Sequence, residues 1–362
     1  MKNTVTELLN IDFPILQAPM AGGITTPELV AAVSNHGGLG MIGAGYLDPD
    51  QLRKQINEVR QLTDKAFGVN LFIPNTFTYD SQEADGANQS LHSIRKYLNI
   101  SEPEPPHITY NDSLKSYQEQ LRILIEEKVS VCSFTFGLPS DKEIEKLKRH
   151  NMILIGTATT VEEAVKIENI GMDFAVVQGS EAGGHRGTFL NVTSDRSAGL
   201  FSLLPQAVDH LHIPVIAAGG IMDGRGLVAA ISLGAQAVQM GTAFLTCKES
   251  GAHKVHKAAI LHATEEDAIL TRTFSGKWAR GLKNDFILQM SKHEGALPPY
   301  PVQHLLTQDI RKAAAAQNNP EYMSLWSGQS PTLAKAHTVK KLIEEVMREA
   351  KKVQDAIHQH AF

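Results

Sequence analysis

Only two cysteines, Cys132 and Cys247, occur in 362 residues, and neither stands in a CxxC or Cys/His spacing. That excludes a disulfide framework and a Cys/His zinc site, and no metal is expected. There is no basic block: 34 basic and 39 acidic residues leave a net charge of −5, which offers no field for wrapping a phosphate backbone, so nucleic acid is not an expected partner. No apolar run approaches the roughly 20 residues that span a bilayer, and Met1–Asn10 carries one lysine and no apolar signal core. A cytoplasmic, unanchored protein is expected. Nucleotide fingerprints are also missing, since neither GxxxxGK[ST] nor a GxGxxG after a strand occurs. What remains is a chain that is 42% hydrophobic, with 28 glycines, long enough for two domains or for one α/β barrel with an appendage.

Short apolar runs recur, each followed by a helix-start signal. The runs read as strands are Phe13–Ala18, Leu39–Ile42, Ala66–Phe72, Val129–Phe134, Met152–Ile155, Phe174–Gln178, Val215–Ala218 and Ala237–Met240. Several are apolar throughout, as parallel strands buried on both faces require. Thr26-Pro27-Glu28 and Asp48-Pro49 read as N-caps with proline at the first helical position, and Ser140 with Glu143 and Thr160 with Glu163 read as capping boxes. Eight strands alternating with helices fit an α/β fold of the (β/α)8 TIM-barrel type; a doubly wound open sheet is the alternative. The barrel is expected over residues 1–248, with insertions near 73–112 and 179–200 on its active-site face. Residues 249–362 carry too few strand signals for another sheet and read as a helical C-terminal extension or lid, ending in a charged amphipathic helix over His337–His360. The proline-bearing stretch Ser101–His107 reads as a surface loop.

Three constellations could carry chemistry. Gln178-Gly179-Ser180-Glu181-Ala182-Gly183-Gly184-His185-Arg186-Gly187 follows an apolar strand, and a histidine held there can exchange protons or donate to an anion. Arg186 reads equally as a substrate cation or as an exposed arginine paired with a surface carboxylate. Ala217-Ala218-Gly219-Gly220-Ile221 and Gln239-Met240-Gly241-Thr242 follow the seventh and eighth expected strands, where glycine-turn N–H groups and a following helix N-terminus form an anion cradle. Gly37-Gly38-Leu39-Gly40, by contrast, reads as a helix stop and turn. Gln17 before Ala18-Pro19-Met20, Asn70 and Gln178 are strand-end amides that suit the polar edge of a heterocycle such as a flavin, although Asn70 could equally bond a neighbouring loop.

At these residues the chain resembles the nitronate monooxygenase family, FMN-dependent (β/α)8 barrels formerly called 2-nitropropane dioxygenases. The resemblance rests on Gln17-Ala18-Pro19-Met20-Ala21-Gly22-Gly23 with Thr26-Pro27-Glu28-Leu29, on Phe67-Gly68-Val69-Asn70, on Ser180–Gly187, and on Ala217–Ile221 with Gln236–Thr242. Ser275-Gly276-Lys277-Trp278-Ala279-Arg280-Gly281-Leu282 is similar to a fifth signature, with Lys277 and Trp278 as departures. The resemblance implies FMN as cofactor. It places Asn70, Gln178 and Gly183 on the ring or ribityl part, with Ala18, Pro19 and Met20 nearby. Gly219, Gly220, Gln239, Met240, Gly241 and Thr242 would hold the phosphate end.

His185 would be the catalytic residue, and the implied partners are a small nitronate and O2. In the implied reaction an alkyl nitronate, propionate 3-nitronate first among candidates, passes one electron to FMN to give a flavin semiquinone. O2 then yields a carbonyl compound and nitrite. Arg186, Tyr110 or Tyr300 are candidate donors to the substrate carboxylate. The rival readings are an FMN-dependent enoyl-acyl carrier protein reductase, an NAD(P)H:quinone reductase, and a flavin-binding protein without turnover. A monomer or a homodimer fits equally.

Overall fold

A computed structural model describes residues 2–104, 108–190 and 197–359. Positions 105–107 of the expected surface loop Ser101–His107 and 191–196 of the second insertion lie outside the described residues. All eight expected strands form, with ends moved by a few residues: β1 (Ile15–Gln17), β2 (Gly40–Gly43), β3 (Phe67–Phe72), β4 (Val131–Thr135), β5 (Ile153–Ala158), β6 (Phe174–Gln178), β8 (Val215–Ala218) and β9 (Ala237–Met240). Between β6 and β8 lies a two-residue strand, β7 (Gly184–His185). The eight long-expected strands pair in parallel in the order β1-β9-β8-β6-β5-β4-β3-β2. A parallel bridge between Leu16 and Leu39 joins the first and last of these, with the Gln17 N–H donating to the Leu39 carbonyl at 2.9 Å. The sheet is therefore closed, a TIM barrel rather than an open doubly wound sheet.

Local chemistry explains the helix starts. Thr26 and Asp48 accept from Leu29 N–H and Gln51 N–H at 3.1 and 2.8 Å, ahead of the helices Pro27–Asn35 and Pro49–Leu62. The Glu143 carboxylate takes the Ser140 N–H at 2.7 Å, completing a capping box. At the fourth site the expectation is corrected. Thr160 caps the helix Val161–Asn169, but the fully buried Glu163 carboxylate does not return to Thr160. It accepts instead from the Thr159 N–H and hydroxyl and from the N–H groups of Phe189 and Leu190, which pins the second insertion to the barrel. Gly37, with φ +86°, ends its helix as expected; a β-carbon there would meet Asp12 Cβ at 2.9 Å.

The barrel interior is filled by Leu16, Met41, Ile155, Phe174, Val176 and Ile216, and its N-terminal end is plugged by Val5 and Leu9 of the helix Thr4–Leu9. Burying each plug residue contributes roughly 1.5–3 kcal/mol. A second core lies outside the barrel. The first insertion, expected on the active-site face, forms the helices Ser81–Ser90 and His92–Tyr97, and its Ala84, Leu91, Ile94 and Leu98 pack on Phe286, Val302, Leu306 and Ile310 of the C-terminal segment. The guanidinium of Arg95, 2% exposed, locks this union by donating to Asp309 at 2.8 Å, to the Asn88 side chain at 2.8 Å and to the Leu306 carbonyl at 2.9 Å.

The C-terminal segment is not purely helical. Strands β10 (Ala268–Thr271) and β11 (Ala279–Leu282) form an antiparallel sheet with β7, correcting the expectation that no further sheet would occur. The final helix runs over Val339–Gln359, within the amphipathic stretch expected. Among the described residues no helix is long and apolar enough to cross a membrane.

Candidate active site

β6 ends at Gln178, and the chain then turns through Gly179–Gly183 into β7, where His185 lies opposite Ala279 and Gly184 opposite Arg280 of β11. That short pairing is what holds His185 over the barrel mouth. Two arginines stitch the loop beneath it: Arg186 donates to the carbonyls of Gly179 and Gln178, and Arg280 donates to those of Ser180 and Ala268 at 2.9 and 2.8 Å. Arg186 is 5% exposed, so both sequence readings of it are corrected: it does not line the cavity at the barrel mouth, and it bonds backbone carbonyls rather than a surface carboxylate. Gly184 sits at φ +71°, a backbone region that disfavours other residues. At Gly183 a β-carbon would lie 2.5 Å from the Gly328 N, so this glycine makes room for the C-terminal loop.

A cavity of about 1200 Å³, open mouth included, occupies the C-terminal ends of the strands. His185 lines it. So do Ala18, Pro19 and Met20 after β1, Asn70 in β3, and Gln178 with Gly183. Gly219, Gly220, Gln239, Gly241 and Thr242 line its other end. Met240 does not: its side chain is 1% exposed and belongs to the core packed on the strands' outer side. Gln17 is likewise not aimed at the mouth, since its amide bonds Ala18 O and the Met41 N–H. Tyr110 opens the helix Tyr110–Glu126 and does not line the cavity.

The amides that do line it are held by neighbours. Asn70 Nδ2 donates to the Ser133 and Thr135 hydroxyls at 2.8 and 3.1 Å, and Gln178 spans His185 O and the Gly187 N–H. The Gln239 side chain has no hydrogen-bond partner among the described residues. A β-carbon on Gly241 would meet only Ala18 Cβ at 3.6 Å, and one on Gly184 nothing within 4 Å, so bare backbone faces open space at both. The helix after β8 does not join this cradle, because the Asp223 carboxylate already accepts the N–H groups of Arg225 and Gly226. N–H groups for an anion come instead from the Gly219-Gly220 turn and the short helix Thr242–Leu245.

Sequence reasoning missed the wall supplied by the C-terminal segment. Trp326, Gly328 and Ser330 line the cavity, tied down by Gly328 N–H to Thr242 Oγ1 at 2.9 Å and Gln329 N–H to Glu181 O at 2.9 Å. The run Ser327-Gly328-Gln329-Ser330 is the only local signal, a small polar turn. Trp326 and Phe136 line the cavity with ring centroids 5.4 and 6.0 Å from that of His185, and Tyr300, 6.1 Å from it, does not line the cavity.

His185 Nε2 lies 2.8 Å from Ser275 Oγ, and Ser275 Oγ lies 3.0 Å from the Lys277 carbonyl. Ser275 has one proton and two acceptors in reach. Donated to Nε2, it leaves the ring's proton on Nδ1, a donor to an anion; donated to Lys277 O, it accepts Nε2–H and leaves Nδ1 as a base. Burial, then the charges of Lys277 and Arg311, pull the His185 pKa down to about 3, so the ring is neutral near pH 7. Lys277 is itself lowered to about 8 by burial; its ammonium donates to Thr188 O at 3.0 Å and sits 4.6 Å from the Phe136 ring centroid.

Burial also depresses His256 to about 4 and His304 to about 2. Both are neutral when folded and titrate near 6.5 when unfolded, so stability present above that pH is lost as pH falls below it. The expected loss at pH 5.5 is roughly 3 kcal/mol for the pair, at 1.4 kcal/mol each. Denaturant unfolding at pH 7.0 and 5.5 checks this: His256→Gln should lose less stability on acidification than the parent, and an identical loss would contradict the assignment.

Among the described residues no group of three or more His, Cys, Asp or Glu stands close enough to hold a metal ion. The chain matches the nitronate monooxygenase family over residues 2–349. It is 50% identical over 351 residues, covering 96% of this chain and 97% of the other, to a protein of Staphylococcus haemolyticus described as a probable nitronate monooxygenase. Among solved structures it is similar to nitroalkane oxidase from Streptomyces ansochromogenes, with TM-score 0.90, 37% identity and coverage of 98% and 100% of the two chains. FabK from Thermotoga maritima gives TM-score 0.79, 33% identity and 99% coverage of each chain. With its barrel, its glycine-lined cavity and its histidine at the mouth, the chain belongs to the nitronate monooxygenase family of oxidoreductases.

Proposed function

We propose that this protein is an FMN-dependent nitronate monooxygenase that oxidises alkyl nitronates, propionate 3-nitronate foremost, with O2 to a carbonyl compound and nitrite. The observation that carries the reading is a neutral histidine with a switchable proton at the mouth of a cavity whose far end is bare glycine backbone. The cavity walls fit FMN. Asn70, Gln178 and Gly183 would border the ring and ribityl chain beside Ala18, Pro19 and Met20. Gly219, Gly220, Gln239, Gly241 and Thr242 would hold the phosphate, Met240 contributing backbone alone, with Gly328 and Ser330 added from the C-terminal segment. Bound FMN supplies the one-electron acceptor and returns electrons to O2.

The chain's own residues bind and orient the nitronate. Being already deprotonated, it needs a donor rather than a base, and the Nδ1–H tautomer of His185 provides one. A neutral nitroalkane would instead call on Nδ1 as base. Neutrality of the ring to about pH 3 means that His185 gives no inflection near 6.5 in the free enzyme's pH profile. Ser275→Ala should retain flavin and fold but lower kcat by about tenfold, with Ser275→Thr recovering most of it; unchanged kcat in the alanine variant would remove the tautomer switch.

The overall balance tests the function itself. Two nitronates and one O2 give two carbonyl compounds and two nitrites, without external reductant. Parallel assays of O2 uptake, nitrite and carbonyl are expected to show this ratio with NAD(P)H absent. The similarity to FabK supports a competing reading, reduction by NAD(P)H, and an obligatory requirement for NAD(P)H would favour it.

A further inference from the structure

Six of the described residues other than glycine have a left-handed backbone. Five of them, Asn10, Asn99, Lys128, Asn151 and Asn318, directly follow helices, where that conformation is a common way to stop. The sixth is Phe136, at φ +74°, which follows the strand β4 at the active-site end of the barrel. A bulky side chain is a rare occupant of this region, and such strain persists only where the surroundings over-determine it.

The surroundings do so here. Thr135 O accepts the Ile73 N–H at 2.9 Å and Phe136 O accepts from Asn75 Nδ2 at 2.8 Å, so the start of the first insertion clamps the backbone on both sides of the strained residue. The ring is thereby held in the cavity wall. Its centroid lies 4.5 Å from that of Phe72, another lining residue, and 6.0 Å from that of His185, to which it stands edge-on. Tyr300, with its centroid 5.8 Å away, and the Lys277 ammonium, 4.6 Å from the ring centroid, support it without lining the cavity themselves. Phe136 is 2% exposed, and what it presents to the cavity is hydrocarbon beside the histidine. Glycine would make this turn without strain, so the backbone alone does not account for a phenylalanine.

We propose that Phe136 limits the size of the hydrocarbon group on the substrate: its ring fills the space beside His185 into which a longer chain would extend, so that short nitronates are preferred. This rests on the site being one that oxidises nitronates. Phe136 determines specificity and transfers no proton.

The test compares ethyl nitronate with hexyl-1-nitronate on the flavin-loaded parent, Phe136→Ala and Phe136→Leu. In Phe136→Ala the ratio of kcat/KM for the hexyl over the ethyl substrate should rise at least about 10-fold, as the longer chain enters the vacated space. Phe136→Leu, which restores part of the volume, should give a smaller rise. An unchanged ratio in a flavin-replete alanine variant would overturn the proposal, and if that variant does not fold, an unchanged ratio in Phe136→Leu would do so. Equilibrium binding of nitroethane and 1-nitrohexane, read from the flavin absorbance, gives the same comparison without turnover. A parent that oxidises neither nitronate would thus refute the proposed function, while the binding ratio in Phe136→Ala still decides on Phe136. The strain has its own readout: Phe136→Gly should melt about 2 °C above Phe136→Ala, since both lack the ring and only alanine keeps the strained β-carbon, and equal melting would contradict the strain on which the assignment stands.

Discussion

Replacing His185 by asparagine is expected to leave flavin bound and to reduce turnover of nitronates by at least about 100-fold, the scale of a positioned proton-transferring or donor group. The reason is geometric. His185 is carried by β7, whose pairing with Ala279 and Arg280 belongs to the backbone and survives the substitution. Asparagine keeps a polar tip but cannot both bond Ser275 and reach the substrate as an imidazole does. The phosphate end of the cavity lies in other elements, the turns after β8 and β9, so flavin content should be unchanged. The absorbance ratio of flavin to protein and the steady-state rate together check this, and full activity in a flavin-replete variant would remove His185 from the mechanism.

Gly241→Leu is expected to give a folded protein without flavin. A β-carbon at this position meets only Ala18 Cβ, at 3.6 Å, and the backbone φ of −107° is open to any residue, so no strain or clash opposes folding. The leucine side chain would instead fill the space in which a phosphate would meet the N–H groups of the Thr242–Leu245 helix. Losing that cradle should lower FMN affinity by at least about 100-fold, leaving apo-protein after purification. Gly183→Ala makes a useful contrast: there the added carbon would sit 2.5 Å from Gly328 N, so that the C-terminal loop itself must move. Flavin content and thermal stability of the apo forms separate the two effects, and normal flavin content in Gly241→Leu would show that the phosphate lies elsewhere.

Much of the barrel was legible because its signals are local. Fully apolar runs such as Phe174–Gln178 need burial on both faces, and proline after a capping Thr26 or Asp48 has few other uses than starting a helix. Gly219 and Gly220 stand at φ +116° and +68°, so the turn after β8 requires glycine there, whereas Gly241 has an ordinary φ and faces open space. What escaped notice depends on partners distant in sequence. β7 is two residues long and exists only because β11, almost a hundred residues later, pairs with it. Glu163 matched a capping box in spacing, yet the N–H groups of Phe189 and Leu190 compete for the same carboxylate and win it. Arg186 looked like an exposed or substrate-facing charge because its true partners are two backbone carbonyls, which carry no residue signature. Met240 stands between Gln239 and Gly241, and in a strand alternate side chains face opposite ways, so its neighbours' exposure to the cavity implied its own burial. The wall formed by Tyr46, Trp326 and Ser330, with His304 stacked behind Tyr46, comes from segments on either side of the chain, brought together by the core that the first insertion shares with the C-terminal segment.

The most direct test of the account is the anaerobic visible spectrum of the purified protein before and after addition of propionate 3-nitronate, with NADPH in a parallel cuvette. A bound flavin reduced by the nitronate alone, with its colour restored by O2, is the predicted result. A flavin bleached by NADPH and untouched by the nitronate would contradict it and transfer the site to the reductases, and a protein with no flavin absorbance would contradict the cofactor assignment itself.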